Sequence, residues 1–461
     1  MTPAKNVIRR HGSVHDAFLL RTHLRRMTYC EAIDFLYGLR WYGAKFGLEN
    51  PRRLAALAGH PERRLRFIHV AGTNGKGSVC AFLESIYRRA GYRVGLFTSP
   101  HLVRFGERIQ VNRQLIPEAE VARLVELIQP WLQQFPPDRH PTFFEVVTLM
   151  ALLHFEAHHC DVVIWETGMG GRLDATNIVR PLASVITNIH YDHQQWLGST
   201  LSAIAAEKAG ILKPGIPALT AAEAPEALDV LRARALQLGC PLWVVGAEAT
   251  QEPWLRRLAL PLPGQHQYRN AALAAATVRV LMRELPVTQT DLEEGLQQTW
   301  WPGRFQRVRL PSGTLLVLDG AHNVGAMEVL CATLQERFPD VRPTVILGVM
   351  ADKDLAGIAR IVARQAGRIL CVPVPSDRGA DPRHLAEICR QVAPRLQVQV
   401  QPSLQAALQA SQHDAVVTVT GSLYLVGQAL ESLGLVDLPS RDEKELNNWT
   451  SSVAAACAAS S

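Results

Sequence analysis

A glycine-rich stretch near the start of the chain places a lysine where it could neutralise phosphate charge. The stretch His69–Ser78 reads His-Val-Ala-Gly-Thr-Asn-Gly-Lys-Gly-Ser. It lies between an apolar run that predicts a buried strand and a segment whose apolar spacing predicts a helix. Such a turn presents backbone N–H groups and the positive end of the helix dipole to an anion. Lys76 adds a point charge, so the stretch predicts a nucleotide phosphate site.

The match to the standard phosphate-loop pattern is incomplete. That pattern has a glycine six residues before the lysine and Ser or Thr directly after it. Here Val70 takes the first position, and Gly77 separates Lys76 from Ser78. An ordinary glycine-rich turn therefore remains an alternative at this point.

Polar residues also occur at the ends of predicted buried strands. Ligands of open parallel sheets bind outside the carboxyl ends of the strands. Glu166 closes one such strand and precedes a glycine-rich loop, which suggests a Mg²⁺ ligand near the phosphates. Asp319 closes another strand, and Ser422 follows a third. Each residue has a structural alternative: Glu166 could be a solvated acid, Asp319 part of an Asp-Gly turn, and Ser422 a helix N-cap.

A lysine lies on the apolar face of the short predicted helix 200–209. Leu201, Ile204, Ala205 and Lys208 are spaced at i, i+3, i+4 and i+7, so they share one face. Burial would lower the pKa of Lys208 and make its free amine available as a nucleophile, for instance toward CO₂. In the alternative, the stem packs on the core and the charge reaches water.

A histidine-containing segment, His190-Tyr-Asp-His193, follows another predicted strand. Its two histidines and its aspartate could bind a metal ion. Their spacing matches no strong zinc pattern, so a polar loop is an equal alternative.

The elements that position these residues alternate between buried strands and helices. This alternation predicts an α/β fold with a mostly parallel, doubly wound sheet covered on both faces. The predicted strands of the first series are 66–70, 93–98, 161–166, 183–189, 217–220 and 242–245. The predicted helices are in 29–57 and at 79–89, 117–132, 142–158, 200–209, 225–238, 268–285 and 291–299.

The pattern breaks at Trp300–Arg304, and a second alternating series follows. It predicts a smaller Rossmann-like domain. Its strands are predicted at 315–319, 344–349, 369–372, 396–400 and 415–420, and its helices at 326–338, 355–363, 382–392, 404–411 and 423–433. We therefore predict an N-terminal extension (1–28), a central domain (29–302), a C-terminal domain (303–437) and a disordered tail (438–461).

Composition narrows the classes of function. The chain has 461 residues, of which 48% are hydrophobic, and a net charge of +6. No apolar run approaches the length of a membrane span, and no basic block with interleaved aromatics suggests nucleic acid. The eight cysteines form no CxxC pair, which argues against a zinc site and a disulfide framework. The N-terminus lacks a secretory signal, so we expect a cytoplasmic protein.

Several stretches together resemble the folylpolyglutamate synthase/dihydrofolate synthase family of the Mur ligase superfamily. They occur in the family's order and cover most of 29–433. The matching stretches are 71–78, Thr98-Ser-Pro-His-Leu102, 166–177, 192–193, 207–211, 302–305, 319–323 and 420–423. The first is the superfamily's own form of the phosphate loop. Val324 departs from the family, which has proline there.

The resemblance implies an ATP-dependent amide ligase with two Mg²⁺ ions. It implies that Ser99 and Glu166 bind one ion and His193 the other, and that a CO₂-derived carbamate on Lys208 orients the second ion. The implied catalytic residues are Lys76, Glu166, His193 and Lys208. The implied ATP contacts are Thr73, Asn74, Gly75, Lys76, Gly77, Ser78, Asn270, Arg304 and Asp319.

The resemblance also implies residues that contact the other substrates. The pterin-side residues would be Thr142, Phe143, Phe144, Glu145, Leu173, Asp174 and Ala175. The residues that receive L-glutamate would be His322 and Ser422. Core packing is the alternative for Phe143 and Phe144. The acceptor would be dihydropteroate, a reduced folate or both, and we expect a monomer with small-molecule partners.

Other classes of function share parts of this pattern. A cell-wall Mur ligase has the same chemistry but acts on a nucleotide sugar. A phosphate-loop kinase would release ADP without free phosphate. A nucleotide-binding regulatory module would bind ATP without glutamate-dependent ADP release.

Overall fold

Strands that are buried on both faces form the centre of the larger part of the molecule. The computed structural model describes residues 26–42, 47–437 and 443. Every residue of the strands Phe67–Ala71 and Val162–Glu166 is buried. Because successive side chains of a strand point to opposite faces, both faces of the sheet must be covered.

The first sheet has eight strands among the described residues, in the order β4-β3-β2-β5-β1-β6-β7-β8. The six strands from β2 to β8 in this order run parallel, and β3 and β4 add an antiparallel edge. The strands are β1 (Phe67–Ala71), β2 (Val94–Phe97), β3 (Ile109–Val111), β4 (Gln114–Leu115), β5 (Val162–Glu166), β6 (Ala183–Ile186), β7 (Ala218–Thr220) and β8 (Leu242–Val244).

Helices cover both faces of this sheet. Phe67 and Trp165 belong to the core on the face of α1, α4 and α5, whereas Ile68 and Ile164 belong to the core on the face of α3 and α10. The helices are α1 (Tyr29–Gly38), α2 (Glu49–Leu57), α3 (Lys76–Arg89), α4 (Glu118–Leu132), α5 (Phe143–Ala157), α6 (Gln194–Leu197), α7 (Leu201–Ala209), α8 (Pro225–Leu238), α9 (Pro253–Arg256), α10 (Gln265–Val280) and α11 (Gln289–Gln297).

A second sheet follows, with six strands among the described residues in the order β13-β12-β11-β14-β10-β9. All its pairings are parallel except that of β9 with β10. Its strands are β9 (Gln306–Arg309), β10 (Leu315–Leu318), β11 (Thr344–Leu347), β12 (Arg368–Cys371), β13 (Gln397–Val400) and β14 (Val416–Thr420). Its helices are α12 (Val324–Arg337), α13 (Leu355–Gln365), α14 (Pro382–Val392), α15 (Leu404–Ala410) and α16 (Leu423–Ser432).

The predicted fold class is confirmed, and the predicted strands and helices are present with ends that shift by a few residues. The antiparallel strands β3, β4 and β9 were not predicted. The N-terminal residues 1–25 and most of the tail lie outside the described residues. Within the predicted tail, Glu443 is described and is only 1% exposed, and the disorder of the tail stays a prediction. None of the described helices combines the length and apolarity needed to cross a membrane.

Candidate active site

The loop after β1 brings backbone very close to neighbouring side chains. Gly75 precedes α3 with a φ of +84°, a conformation that favours glycine. A Cβ at Gly75 would lie 2.7 Å from Oδ1 of Asn270, and one at Gly77 would lie 2.9 Å from Nε1 of Trp301. The glycines are therefore required by space, and the loop forms a cradle at the N-terminus of a helix, where an anion binds well.

Lys76 bends back over this cradle. Its Nζ donates to the carbonyls of Gly72 at 3.3 Å and Thr73 at 3.4 Å. Asn188, which follows β6, fixes the loop by accepting from the backbone N–H of Asn74 at 2.7 Å. The ammonium therefore lies within the loop, where it can contact a terminal phosphate.

Glu166 lies at the carboxyl end of β5, beside the loop that follows β2. Its Oε2 accepts from the backbone N–H of Ser99 at 3.0 Å, and the residue is 4% exposed. Burial raises the pKa of Glu166 to about 6, although Lys76 and the Ser99 N–H oppose this shift. Glu166 and the Ser99 side chain therefore offer oxygen ligands close to the phosphate loop.

Lys208 lies on the apolar face of α7, as its spacing predicts, and only 3% of the residue is exposed. Its Nζ donates to the carbonyl of Gly72 at 2.8 Å. Burial, helped by the charge of Lys76, lowers the pKa of the Lys208 amine to about 7. The alternative in which this charge reaches bulk water is therefore wrong, and the lysine lies against the phosphate loop.

The histidine-containing segment follows β6 and carries a buried acid. The Asp192 Oδ2 lies 3.9 Å from Nε2 of His193 and 3.8 Å from Nε2 of His322. The Lys353 Nζ donates to Asp192 Oδ1 at 2.6 Å. Burial would raise the pKa of Asp192, but the surrounding His193, Lys353 and His322 outweigh it and lower that pKa strongly.

The second sheet contributes residues to the same place. Asn323 and Asn74 exchange hydrogen bonds of 2.9 and 3.2 Å through their side-chain amides. Asp319 follows β10 and accepts from the backbone N–H groups of Phe305 and Ala321 at 2.8 and 2.9 Å. The Asn74–Asn323 pair joins the loop after β10 to the phosphate loop.

One cavity of about 1080 Å³ contains most of the predicted site. This volume suits several small-molecule ligands rather than one. The predicted residues that line it are Thr73, Asn74, Gly75, Lys76, Gly77, Ser78, Ser99, Phe143, Phe144, Glu166, His193, Lys208, Asn270, Arg304, Asp319, His322 and Ser422.

Some of these lining residues also have structural contacts. The Ser422 side chain accepts from the backbone N–H of Tyr424 at 3.1 Å, so its alternative as the N-cap of α16 is confirmed. Phe143 and Phe144 lie at 6.4 and 5.9 Å, centre to centre, from the rings of Phe105 and Phe97. Both rings therefore pack in the core, and both residues also line the cavity.

Five predicted pterin-side residues do not line the cavity: Thr142, Glu145, Leu173, Asp174 and Ala175. Thr142 and Glu145 form a reciprocal capping box at the start of α5. Asp174 accepts from the backbone N–H of Met169 at 2.8 Å and from the hydroxyl of Thr176 at 2.5 Å. The polar groups of Thr142, Glu145 and Asp174 therefore hold the neighbouring backbone, and the pterin contact of all five residues stays a prediction.

Several cavity residues were not predicted from the sequence. Asn188, Lys353, Arg108 and Arg378 all line it. For Lys353 a signal was available, since the charged triplet Asp352-Lys-Asp354 follows the buried strand β11 closely. The others occur in segments whose spacing suggests no chemistry.

The donor set fits magnesium held jointly by protein and nucleotide. Among the residues that the structure describes, no group of three or more His, Cys, Asp or Glu side chains could hold a metal ion. Mg²⁺ is usually bound through one or two carboxylates together with phosphate oxygens and water. Glu166 and Ser99 beside the phosphate cradle match that pattern, and a metal centre made by the protein alone does not.

Comparison with known protein families agrees with this geometry. Residues 70–278 match the Mur ligase middle domain, and residues 303–423 match the Mur ligase, glutamate ligase domain. The fold and the site therefore define an ATP-dependent ligase of the Mur type.

Comparison with individual relatives narrows the class of Mur-type ligases to one family. The dihydrofolate synthase/folylpolyglutamate synthase of Bacillus subtilis is 40% identical over 70% of this chain and 80% of its own. The crystal structure of Thermotoga maritima folylpolyglutamate synthase has a TM-score of 0.77 and 31% identity, covering 90% of this chain and 98% of its own. The Escherichia coli FolC structure in complex with DHPP and ADP has a TM-score of 0.77 and 32% identity. The match covers 88% of this chain and 98% of the Escherichia coli chain.

The chain belongs to the folylpolyglutamate synthase/dihydrofolate synthase family. The family resemblance predicted from the sequence is thereby confirmed, and so is the prediction of an ATP-dependent ligase. The kinase, regulatory-module and cell-wall alternatives have no support from these relatives.

Proposed function

We propose that this enzyme joins L-glutamate to the carboxyl group of dihydropteroate, of a reduced folate or of both. The observation that carries this proposal is the meeting of the phosphate loop, Glu166, Lys208 and the loop after β10 around one cavity. The names of the Bacillus subtilis relative and the ligands of the Escherichia coli structure support this choice of acceptor.

The proposed reaction has two steps. The acceptor carboxylate attacks the γ-phosphate of ATP, which gives an acyl phosphate and ADP. The amine of glutamate then attacks the acyl carbon, and phosphate leaves. The main barrier is repulsion between the anionic carboxylate and the triphosphate, and Lys76 and Arg304 oppose it by their charge.

We propose that Ser99 and Glu166 hold one Mg²⁺ and that His193 and a carbamate on Lys208 hold a second. Bound Mg²⁺ supplies further charge neutralisation and orients the phosphate groups. The loop N–H groups between Thr73 and Ser78 would hold the phosphates, with Asn270 and Asp319 beside the nucleotide. His322 and Ser422 would lie beside the incoming glutamate.

The carbamate proposal rests on the crowding of two amines. Lys76 and Lys208 both donate to the carbonyl of Gly72, so two cations would share one buried position. Reaction of the Lys208 amine with CO₂ replaces one cation by an anion. Protein equilibrated with ¹³C-labelled CO₂ should therefore give a carbamate carbon signal in NMR spectra. That signal should be absent in Lys208→Ala, and its absence in the wild type would contradict the modification.

An assay of ADP release tests the proposed substrates. The purified enzyme with ATP, Mg²⁺ and L-glutamate should release ADP on addition of dihydropteroate or tetrahydrofolate, and the better acceptor defines the preference. Chelation of Mg²⁺ should abolish release. If neither acceptor stimulates ADP release above the level with glutamate alone, the proposed function is wrong. The cytoplasmic location and the monomeric state remain predictions.

A further inference from the structure

Two arginines and a tyrosine, contributed by both units of the molecule, lie in the wall of the cavity. Arg108 precedes β3, Arg378 follows β12, and Tyr424 lies in the first turn of α16. All three line the cavity. The phosphate, magnesium and glutamate roles proposed above use none of them.

Arg378 has unused hydrogen-bonding capacity. Its Nε is buried and has no hydrogen-bond partner, and its side chain lines the same cavity as Tyr424. Among the described residues, no acidic side chain forms an ion pair with Arg378. A buried guanidinium N–H without a partner is costly, so this site favours a ligand with acceptor oxygens.

Arg108 is held in place beside it. Its Nε donates to Nδ1 of His101 at 2.9 Å, and its guanidinium carbon lies 5.3 Å from the centre of the Phe143 ring. The residue is 3% exposed. Burial raises the pKa of the Tyr424 hydroxyl, and the charges of Arg378 and Arg108 oppose this shift, so both arginines contribute positive potential around the same hydroxyl group.

We propose that Arg108, Arg378 and Tyr424 form a subsite for a substrate carboxylate that does not react. A guanidinium binds a carboxylate through parallel hydrogen bonds, and a lysine would not offer the same planar geometry. This inference rests on the proposed function. There the non-reacting carboxylate has two sources: free L-glutamate, or the glutamyl group already attached to a folate. Dihydropteroate has only the carboxylate that reacts.

Steady-state kinetics of Arg378→Met and Tyr424→Phe test this subsite. KM is measured for ATP, for L-glutamate and for each acceptor. Arg360→Met is the matched control, because Arg360 is exposed on α13 and does not line the cavity. Arg378→Lys tests whether charge without the planar guanidinium restores binding.

The expected result for Arg378→Met is a rise in KM of about tenfold or more for one carboxylate substrate, the effect of losing a hydrogen bond to a charged group. A larger rise for tetrahydrofolate than for dihydropteroate assigns the subsite to the glutamyl group of the folate. A rise for L-glutamate with both acceptors assigns it to the free amino acid. Tyr424→Phe should give a smaller rise for the same substrate, and Arg378→Lys should restore binding only in part.

Other outcomes overturn the inference. The subsite is wrong if Arg378→Met changes every KM no more than Arg360→Met does. It is also wrong if only kcat falls, or if the KM for ATP rises as much as the others. A wild-type enzyme without acceptor-dependent ADP release would instead contradict the proposed function itself.

Discussion

The amine of Lys208 is buried against the phosphate loop, where it donates to the carbonyl of Gly72 at 2.8 Å. The spacing of Lys208 with Ile204 and Ala205 placed it on the apolar face of its helix, but it left open whether the charge reaches water. The partner of its amine, the carbonyl of Gly72, is 136 residues away in the sequence. That contact follows from the topology of the sheet, and no local pattern could have predicted it.

Two glycine-to-alanine variants separate the effect of the positive φ of Gly75 from the effect of its position beside the phosphate site. Gly75→Ala introduces strain at positive φ and a contact of 2.7 Å with Asn270. In Gly215→Ala the φ is +71° but no atom lies within 4 Å of the new Cβ. We expect both variants to lose about 1–2 kcal/mol of stability in denaturant titrations.

Of these variants, Gly75→Ala alone should raise the KM for ATP by about tenfold, equivalent to about 1.4 kcal/mol. Equal KM values in the two variants would mean that the Gly75 cradle does not contact the nucleotide.

Removal of the Lys76 ammonium tests the electrostatic role of the phosphate loop. Lys76→Ala should lower kcat/KM by about a hundredfold or more, since one contact to developing charge typically contributes that much. Thermal unfolding should stay close to that of the wild type, because the ammonium contacts only loop carbonyls. Near-normal turnover in Lys76→Ala would contradict this role. Arg257→Ala, at an exposed position, serves as the control for loss of a positive charge.

At the level of elements, buried parallel strands were predicted well and edge strands were not. All residues of β5 are buried, and its first four, 162–165, form an apolar run between Asp161 and Glu166. β4 has only two residues, and β9 alternates between partly buried and exposed residues. Short or half-exposed strands depend on their partners rather than on a local pattern, which explains why the antiparallel edges were missed.

The buried residue of the C-terminal tail connects α1 with the segment between β2 and β3. The carboxylate of Glu443 accepts from the Tyr29 hydroxyl at 2.5 Å and from the backbone N–H of Phe105. Its backbone carbonyl lies 3.1 Å from Nε2 of His101. The prediction of a disordered tail came from composition. Composition does not show that one acidic residue of the tail can accept hydrogen bonds from polar groups elsewhere in the chain.

Glu443→Ala should therefore destabilise the protein. The Tyr29 hydroxyl and the Phe105 N–H would lose their partner, at a cost of about 1–3 kcal/mol. Urea titration measures this loss, with Asp340→Ala at an exposed position as the control. An unfolding free energy equal to that of the wild type would show that the Glu443 contacts contribute nothing to stability.

For the whole molecule, the sequence predicted two α/β units around one cleft but not which residues join them. The contacts between the two units include the Asn74–Asn323 amide pair and the ion pair between Asp192 and Lys353, at 2.6 Å. Both side chains of the ion pair are less than 10% exposed. The predicted boundary at 302/303 stays a proposal. Which loops meet depends on the relative orientation of the two sheets, and no periodicity reveals that orientation.

Loss of the Asp192–Lys353 pair should let water reach the site. Removing one partner of a buried ion pair costs about 3–5 kcal/mol, so Lys353→Met should weaken the contact between the units. Water would then hydrolyse the acyl phosphate, and ADP release should exceed formation of the glutamylated product. Lys353→Arg keeps the charge, so most of the ADP released by this variant should again be matched by glutamylated product. Equal amounts of ADP and glutamylated product in Lys353→Met would contradict a role of this pair in closing the cleft.

The stoichiometry of a single reaction mixture tests the ligase assignment most directly. ATP, L-glutamate and the preferred pteroyl acceptor are incubated with the enzyme, and ADP, free phosphate and product are measured together. The account predicts equal amounts of ADP, phosphate and an acceptor heavier by one glutamyl residue, all of which disappear when glutamate is omitted. ADP formed without free phosphate, or without the glutamylated product, would contradict it.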